Sequence, residues 1–226
     1  MSGAEWTALW LSAKVAGAAV ICALPLALVL AWWLSRGRFA GRLLLNVIVH
    51  LPLVLPPVVV GYLLLVTLGQ SAPLGRWFSD VLGHRFVFHW TGAALAAALV
   101  TLPFQVRAIR LAFDAIDPEL EHVARTLGAS RWTAWRTVTL PLAWPGIVAG
   151  VVTAFAAALG EFGAIITFAS NVPGETRTLP LAIYTALQSP GGEAMAARLA
   201  LLSISLAVAG LVLAELAVGR LARSRL

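Results

Sequence analysis

An all-α, polytopic membrane protein is the fold class that this sequence predicts, and three observations predict it. Of the 226 residues, 60% are hydrophobic and only 12% are charged. Soluble domains average about 45–50% and about 25%. The mean hydropathy is +0.90. Half the usual charge cannot clothe a water-facing surface. Next, five separate stretches reach the roughly 20 apolar residues that a spanning helix requires. Finally, the basic residues sort to one side of those stretches.

The first stretch, 8–34, is charged only at Lys14, near its start. It exceeds the ~7–15 apolar residues of a signal-peptide core and ends in the basic run "SRGR", so it reads as a retained helix. The second, 43–69, has no charged residue. The third, 86–106, contains only His89 as a titratable group. The fourth, 140–169, is interrupted by Glu161, and the fifth, 199–218, carries Glu215 near its end. Lys14 and Glu215 lie close enough to span ends to snorkel to the interface. Pro25, Pro52, Pro56, Pro57 and Pro103 remove backbone donors and bend the helices that hold them, so neighbouring helices must satisfy the freed carbonyls. Gly146, Gly150, Ala154 and Ala158 recur every four residues and put a smooth strip on one face, suited to close helix packing. The whole chain, 1–226, reads as one transmembrane domain.

Between the stretches, Arg36, Arg38 and Arg42, then Arg107, Arg110, Arg125, Arg131 and Arg136, then Arg220, Arg223 and Arg225 fall on one side. Arg76, Arg85, Arg177 and Arg198 fall on the other. Eleven against four places the first set in the cytoplasm, with the N-terminus outside and the C-terminus inside. The net charge of +6 is therefore topological, which excludes a nucleic-acid partner. Cys22 alone excludes an intrachain disulfide and a multi-cysteine metal site, and it reads as a small buried apolar residue. His50, His84, His89 and His122 show no metal-ligand spacing.

The longest cytoplasmic segment, 114–139, reads as two short helices. Asp117 is a good N-cap and Pro118 suits the first helical position. Glu119 adds charge that the helix dipole favours. Leu120, Val123, Ala124 and Leu127 form one apolar stripe, and Glu121 and Arg125 make an i, i+4 pair. Gly128 stops this helix in the left-handed conformation. Ser130 caps the next, which carries Trp132, Trp135 and Arg136. Such an amphipathic helix lies on lipid, packs on its own protein, or docks in a partner's groove. Glu119 and Glu121 weaken the lipid reading, since interfacial helices have basic polar faces. Docking to a cytoplasmic protein fits the shape.

The spacing His122-Val123-Ala124-x3-Gly128-x9-Val138-x-Leu140-Pro141 resembles the E-A-A-x3-G-x9-I-x-L-P loop of ABC importer permeases. His122, Val123 and Val138 depart from that pattern, while Glu121 supplies an acid one position earlier. "HLPLVLPPVVVGYLLL" (50–65), "RAIRLAF" (107–113), "LEHVARTLGASRW" (120–132), "LGEFGAIITF" (159–168) and "NVPGETRTLPLAIYT" (171–185) resemble the molybdate branch of that family. Sulfate, thiosulfate and tungstate permeases are near relatives. The resemblance implies a type I importer fold (MetI-like) with five transmembrane helices in a bacterial inner membrane. It implies two permease copies and two cytoplasmic ATPase subunits docked on the loop helices, with a periplasmic molybdate-binding protein that delivers the oxyanion. The coupling positions are then Leu120, Glu121, His122, Val123, Ala124, Arg125, Leu127 and Gly128. The sequence has no G-x4-G-K-[ST] and its only lysine is Lys14, so ATP and Mg belong to the partner ATPase and this chain carries no cofactor.

Glu161 stands in an apolar stretch where a charge costs about 2.5–3.5 kcal/mol on the insertion scale, which points to function. A carboxylate repels an oxyanion, so a gate or helix-contact role is expected, together with Gly160, Gly163, Gly146 and Gly150. Thr101, Gln105, Thr153, Thr167, Ser170 and Asn171 are candidates for a polar substrate path, and Arg107 and Arg110 sit at its inner mouth. An intramembrane enzyme needs paired catalytic groups at one depth, and Glu161 has no such companion. A channel or secondary transporter would leave the capped cytoplasmic helix without a task.

Overall fold

The computed structural model describes residues 3–223. Arg225 lies outside the described residues, as do the side chains of Glu215, Arg220 and Arg223. Among the described residues the regular structure is entirely helical: α1 (Gly3–Arg36), α2 (Arg42–Val54), α3 (Pro57–Leu68), α4 (Pro73–Leu82), α5 (Trp90–Asp114), α6 (Pro118–Thr126), α7 (Arg131–Ala134), a π-turn (Trp135–Thr139), α8 (Leu140–Leu159), α9 (Gly163–Phe168), α10 (Leu179–Leu187) and α11 (Glu193–Arg223).

Among the described residues, four helical runs are long and apolar enough to cross a membrane: α1, α5, the continuous run Arg131–Leu159, and Glu193–Gly210 of α11. The pair α2 and α3 adds a fifth if it is one broken span. The expected span over 43–69 is thus two helices joined at a bend, in line with the bending expected of its prolines. Its two halves bend by 113° at Leu55, which is extended at φ −73°, ψ 141°. A residue before proline is pushed out of the α region, and Pro56 and Pro57 withhold two backbone donors. The expected helix over 140–169 is corrected. It begins earlier, at Arg131, and stops at Leu159, so Glu161 lies after a helix end and not inside a helix. The third span begins at Trp90 and not 86, because His89 is the N-cap, with its ring accepting from the Thr91 amide.

α5 forms the centre, packed between α1 and α8. The close approach follows from small side chains. On the cytoplasmic half, Ala23, Ala27, Ala31 and Leu34 of α1 meet Val106, Ile109 and Phe113. On the outer half, Val15, Ala16 and Ala19 meet Ala93, Ala96 and Ala97, with Ile165 and Phe168 of α9 beside them. Gly146 and Gly150 face α5 as the strip predicts: a Cβ on Gly150 would sit 3.2 Å from the Cβ of Ala108 and 3.3 Å from Gln105.

Outer ties hold the ends. The Lys14 ammonium lies 3.7 Å from the Trp90 ring centroid, a cation–π contact. Glu5, only 1% exposed, pairs with Arg198 at 3.0 Å, and Ser12 accepts from the Leu179 amide at 2.6 Å. Cys22 is exposed, not buried. It belongs to an outward apolar face with Ile21, Leu26 and Val29, where a membrane protein meets lipid or a partner.

Candidate functional site

The cytoplasmic segment is built as a compact, self-capped unit. Asp117 accepts from the Glu119 amide at 2.9 Å, with Pro118 opening α6. At the other end the Gly128 amide donates to Arg125 and the Ala129 amide donates to Ala124, both at 3.1 Å, with Gly128 at φ +96°. That bonding is the Schellman stop, which requires the left-handed conformation that glycine adopts without strain. Ser130 then caps α7, accepting from the Thr133 amide at 3.1 Å.

The two faces of α6 differ. Glu121 is half-buried and accepts from the hydroxyl of the buried Thr139, which fastens the helix to the π-turn. The expected Glu121–Arg125 pair is thus corrected: the carboxylate turns to its own protein, and no ion pair joins it to Arg125. Leu120, Val123 and Leu127 face away, with Leu127 84% exposed. Ala124 is half-buried, and His122 is exposed beside Arg125. Among the described residues, nothing covers Leu120, Val123 and Leu127 of the α6 stripe.

Aromatic rings carry the segment into the helix bundle. Trp132 stacks on Trp135 at 5.0 Å, Trp135 meets Trp32 edge-on at 6.2 Å, and Trp32 meets Phe113 at 5.4 Å. Polar ties lock the neighbouring helix ends. Arg36 donates to the carbonyls of Phe113 and Ile116, Ser35 donates to Asp114 at 2.6 Å, and Arg110 donates to Asn46 at 2.9 Å. Arg110 also pairs with Asp114 at 3.5 Å. These arginines join helices as well as sorting charge. Arg107 is exposed.

A second candidate lies at the break after α8. Glu161 is 7% exposed, and its carboxylate accepts from the Ala164 amide at 2.8 Å, serving an unpaired donor at the start of α9. Gly163 lets α9 approach α3, since a Cβ there would lie 3.0 Å from the Pro57 Cβ and 3.2 Å from the Val58 nitrogen. Gly61, which sequence reasoning missed, does the same from α3: its Cβ would lie 2.7 Å from the Ala164 carbonyl. Gly160 has no comparable contact and is exposed.

The polar-path candidates are spread over α5, α8, α9 and the loop before α10. Thr101 and Gln105 are buried between α5 and α1, with Gln105 donating to the Val20 carbonyl at 3.3 Å. Thr153 is exposed on α8 and donates to Ala149, and Thr167 donates to Gly163. Asn171 organises the loop before α10, donating to Thr185 and accepting from Arg177, each at 2.8 Å. Ser170 adopts φ +68°, a left-handed conformation. Among the described residues no cluster of metal-ligating side chains exists, although His84 and His89 both bond to the Thr91 hydroxyl.

This arrangement has known counterparts. The family described as binding-protein-dependent transport system inner membrane component matches residues 23–223. The chain belongs to that family. It is an ABC importer permease, an inner-membrane transporter subunit and not an enzyme. The molybdenum transport system permease protein ModB of Escherichia coli (strain K12) is 54% identical over 98% of this chain and 96% of its own length. That of Haemophilus influenzae is 50% identical over 93% and 92%. The sulfate transport system permease protein CysT of Escherichia coli (strain K12) is 38% identical over 75% of this chain and 62% of its own. Among solved structures, a bacterial ABC transporter involved in the import of the acidic polysaccharide alginate aligns with TM-score 0.73 at 23% identity, over 99% of this chain and 80% of that one. The MetNI methionine ABC transporter aligns with TM-score 0.69 at 16% identity, over 98% and 99%. These two support the type I importer fold of this permease.

Proposed function

We propose that this chain is the membrane permease of a molybdate importer, coupled through α6 to a cytoplasmic ATPase. The observation that carries the coupling is the division of α6 into two faces. Its acid face is fastened to Thr139, while Leu120, Val123 and Leu127 stand uncovered. An uncovered apolar stripe on a helix that is rigid at both ends is a handle: a partner groove that grips it displaces the whole segment. The Trp132–Trp135–Trp32–Phe113 series then passes that displacement to α1 and α5.

The working unit is one transmembrane domain over 1–226, paired with a second, identical copy. Two ATPase subunits hold ATP and Mg, and a periplasmic binding protein delivers the anion. ATPase closure moves α6, and the spans reorient between inward-open and outward-open states. Glu161, Gly163 and Gly61 form the joint at which α8, α9 and α3 meet and reorient. Thr153, Thr167, Ser170 and Asn171 are candidates for the anion's path. Molybdate follows from identities of 50–54% to molybdenum permeases over nearly the whole chain, against 38% for the sulfate relative.

The test is reconstitution of the permease with a P-loop ATPase and an oxyanion-binding protein of a molybdate import system. Molybdate-loaded binding protein is expected to stimulate ATP hydrolysis and radiolabelled molybdate uptake, with sulfate a poor competitor. Stimulation by sulfate in place of molybdate would move the chain to the sulfate branch. Uptake without any ATPase would overturn the coupled mechanism.

A further inference from the structure

A groove of about 790 Å³ opens between the cytoplasmic half of α1 and the coupling segment. Its apolar wall is Pro25, Leu28 and Val29. Trp33 and Trp132, 53% and 66% exposed, line its cytoplasmic end together with Arg125 and Arg131. Neither guanidinium has a hydrogen-bond or ion-pair partner among the described residues. Glu121 also reaches the rim, but its carboxylate is taken up by Thr139.

From Trp33 to Pro25 is eight residues, about 12 Å of helix at ~1.5 Å per residue. The groove therefore runs from the interfacial level, marked by indoles that favour that depth, into the hydrocarbon. An occupant must be anionic at the mouth and apolar along the wall. A soluble ATPase cannot follow the groove into the bilayer. A spanning helix of a second permease copy would fill the wall yet leave two cations unmatched at the mouth.

We propose that this groove seats an anionic phospholipid of the cytoplasmic leaflet. Its phosphate lies between Arg125 and Arg131, its glycerol backbone is level with Trp33 and Trp132, and one acyl chain lies along Pro25, Leu28 and Val29. Basic pockets between helices on the cytoplasmic side suit such headgroups. The bound lipid bridges α1 and the coupling segment, so bilayer charge bears on the movement of α6. The proposal does not depend on which anion the transporter carries.

The experiment uses the complete transporter in nanodiscs of phosphatidylcholine doped with phosphatidylglycerol of equal chain length, and native mass spectrometry counts retained lipids. Phosphatidylglycerol is expected to be enriched over its bulk fraction by about fivefold for each engaged arginine. Arg131→Gln is expected to lower that enrichment about fivefold, and Val29→Trp, which fills the wall, to remove retention of both lipids. Excess inorganic phosphate is expected to leave the lipid in place. Equal retention of the two lipids, retention unchanged in both variants, or release by phosphate would overturn the assignment. So would a photo-crosslinker at position 29 that joins to a second permease copy and not to lipid.

Discussion

Two helix breaks in this permease solve opposite problems. The inner one, Leu127–Ser130, separates α6 from α7 on the cytoplasmic side. Each helix end there is satisfied locally, by the Gly128 stop and the Ser130 hydroxyl, and the apolar stripe beside it is left bare. The outer one, Gly160–Phe162, separates α8 from α9 within the bundle. Water is scarce there, so a buried carboxylate serves the α9 amide, and two glycines let main chain meet main chain. A break that satisfies itself is free to be gripped by another protein. A break that depends on its neighbours couples those neighbours to each other. One is a handle and the other a joint.

Five variants break or sharpen this contrast, from the largest effect to the smallest. Val123→Asp with Leu127→Asp places charge in the bare stripe. If the stripe is the handle, uptake and binding-protein-stimulated hydrolysis fall by about 100-fold or more, on the scale of interface hot spots. The thermal midpoint of the permease alone stays put, because neither side chain is packed in this chain. A matching loss of permease stability would remove the contrast. At the joint the pattern reverses. Gly61→Leu forces the Ala164 carbonyl and Thr167 apart and is expected to cost about 1–3 kcal/mol by overpacking, read as a lowered thermal midpoint in detergent.

Glu161 divides the joint more finely. Glu161→Ala leaves the buried Ala164 amide unpaired, at about 1–3 kcal/mol, while Glu161→Gln keeps an acceptor oxygen. The Gln variant is expected to assemble like the wild type yet show altered coupling of hydrolysis to uptake. Unchanged coupling in a well-folded Gln variant would reduce Glu161 to a structural cap. The smallest effect belongs to Asp117→Ala, which removes an N-cap worth about 1 kcal/mol of helix stability and is expected to lower coupled uptake several-fold. Hydrogen exchange of the α6 amides checks it directly.

The contrast also explains what could be read from the chain alone. The handle is local: Asp117, Pro118, Gly128 and Ser130 act within a few positions of themselves, so their roles follow from order along the chain. The strip at Gly146 and Gly150 was legible for the same reason. The joint is not local. Glu161 reads as a charge within a helix until Gly160 and Phe162 are seen to leave the helix. Gly61 has no signature, because its neighbour is a carbonyl 103 positions away, Ala164. The 113° bend between α2 and α3 was signalled by Pro56 and Pro57, but its size rests on long-range packing such as that of α9 on α3. Cys22 and the Glu121–Arg125 pair failed for a related reason: composition and spacing do not say which side of a helix meets its own protein.

The π-turn at Trp135–Thr139, closed by the Leu140 amide on the Trp135 carbonyl, has a consequence in angular register. A π-turn holds about one residue more than an α-turn, and one residue of α-helix is about 100° of rotation. The direction in which α7 points, seen down the axis of α8, is thus set by a residue count. No single side chain sets it. Deleting one residue between positions 135 and 139 would swing the cytoplasmic segment by more than a quarter of a circle.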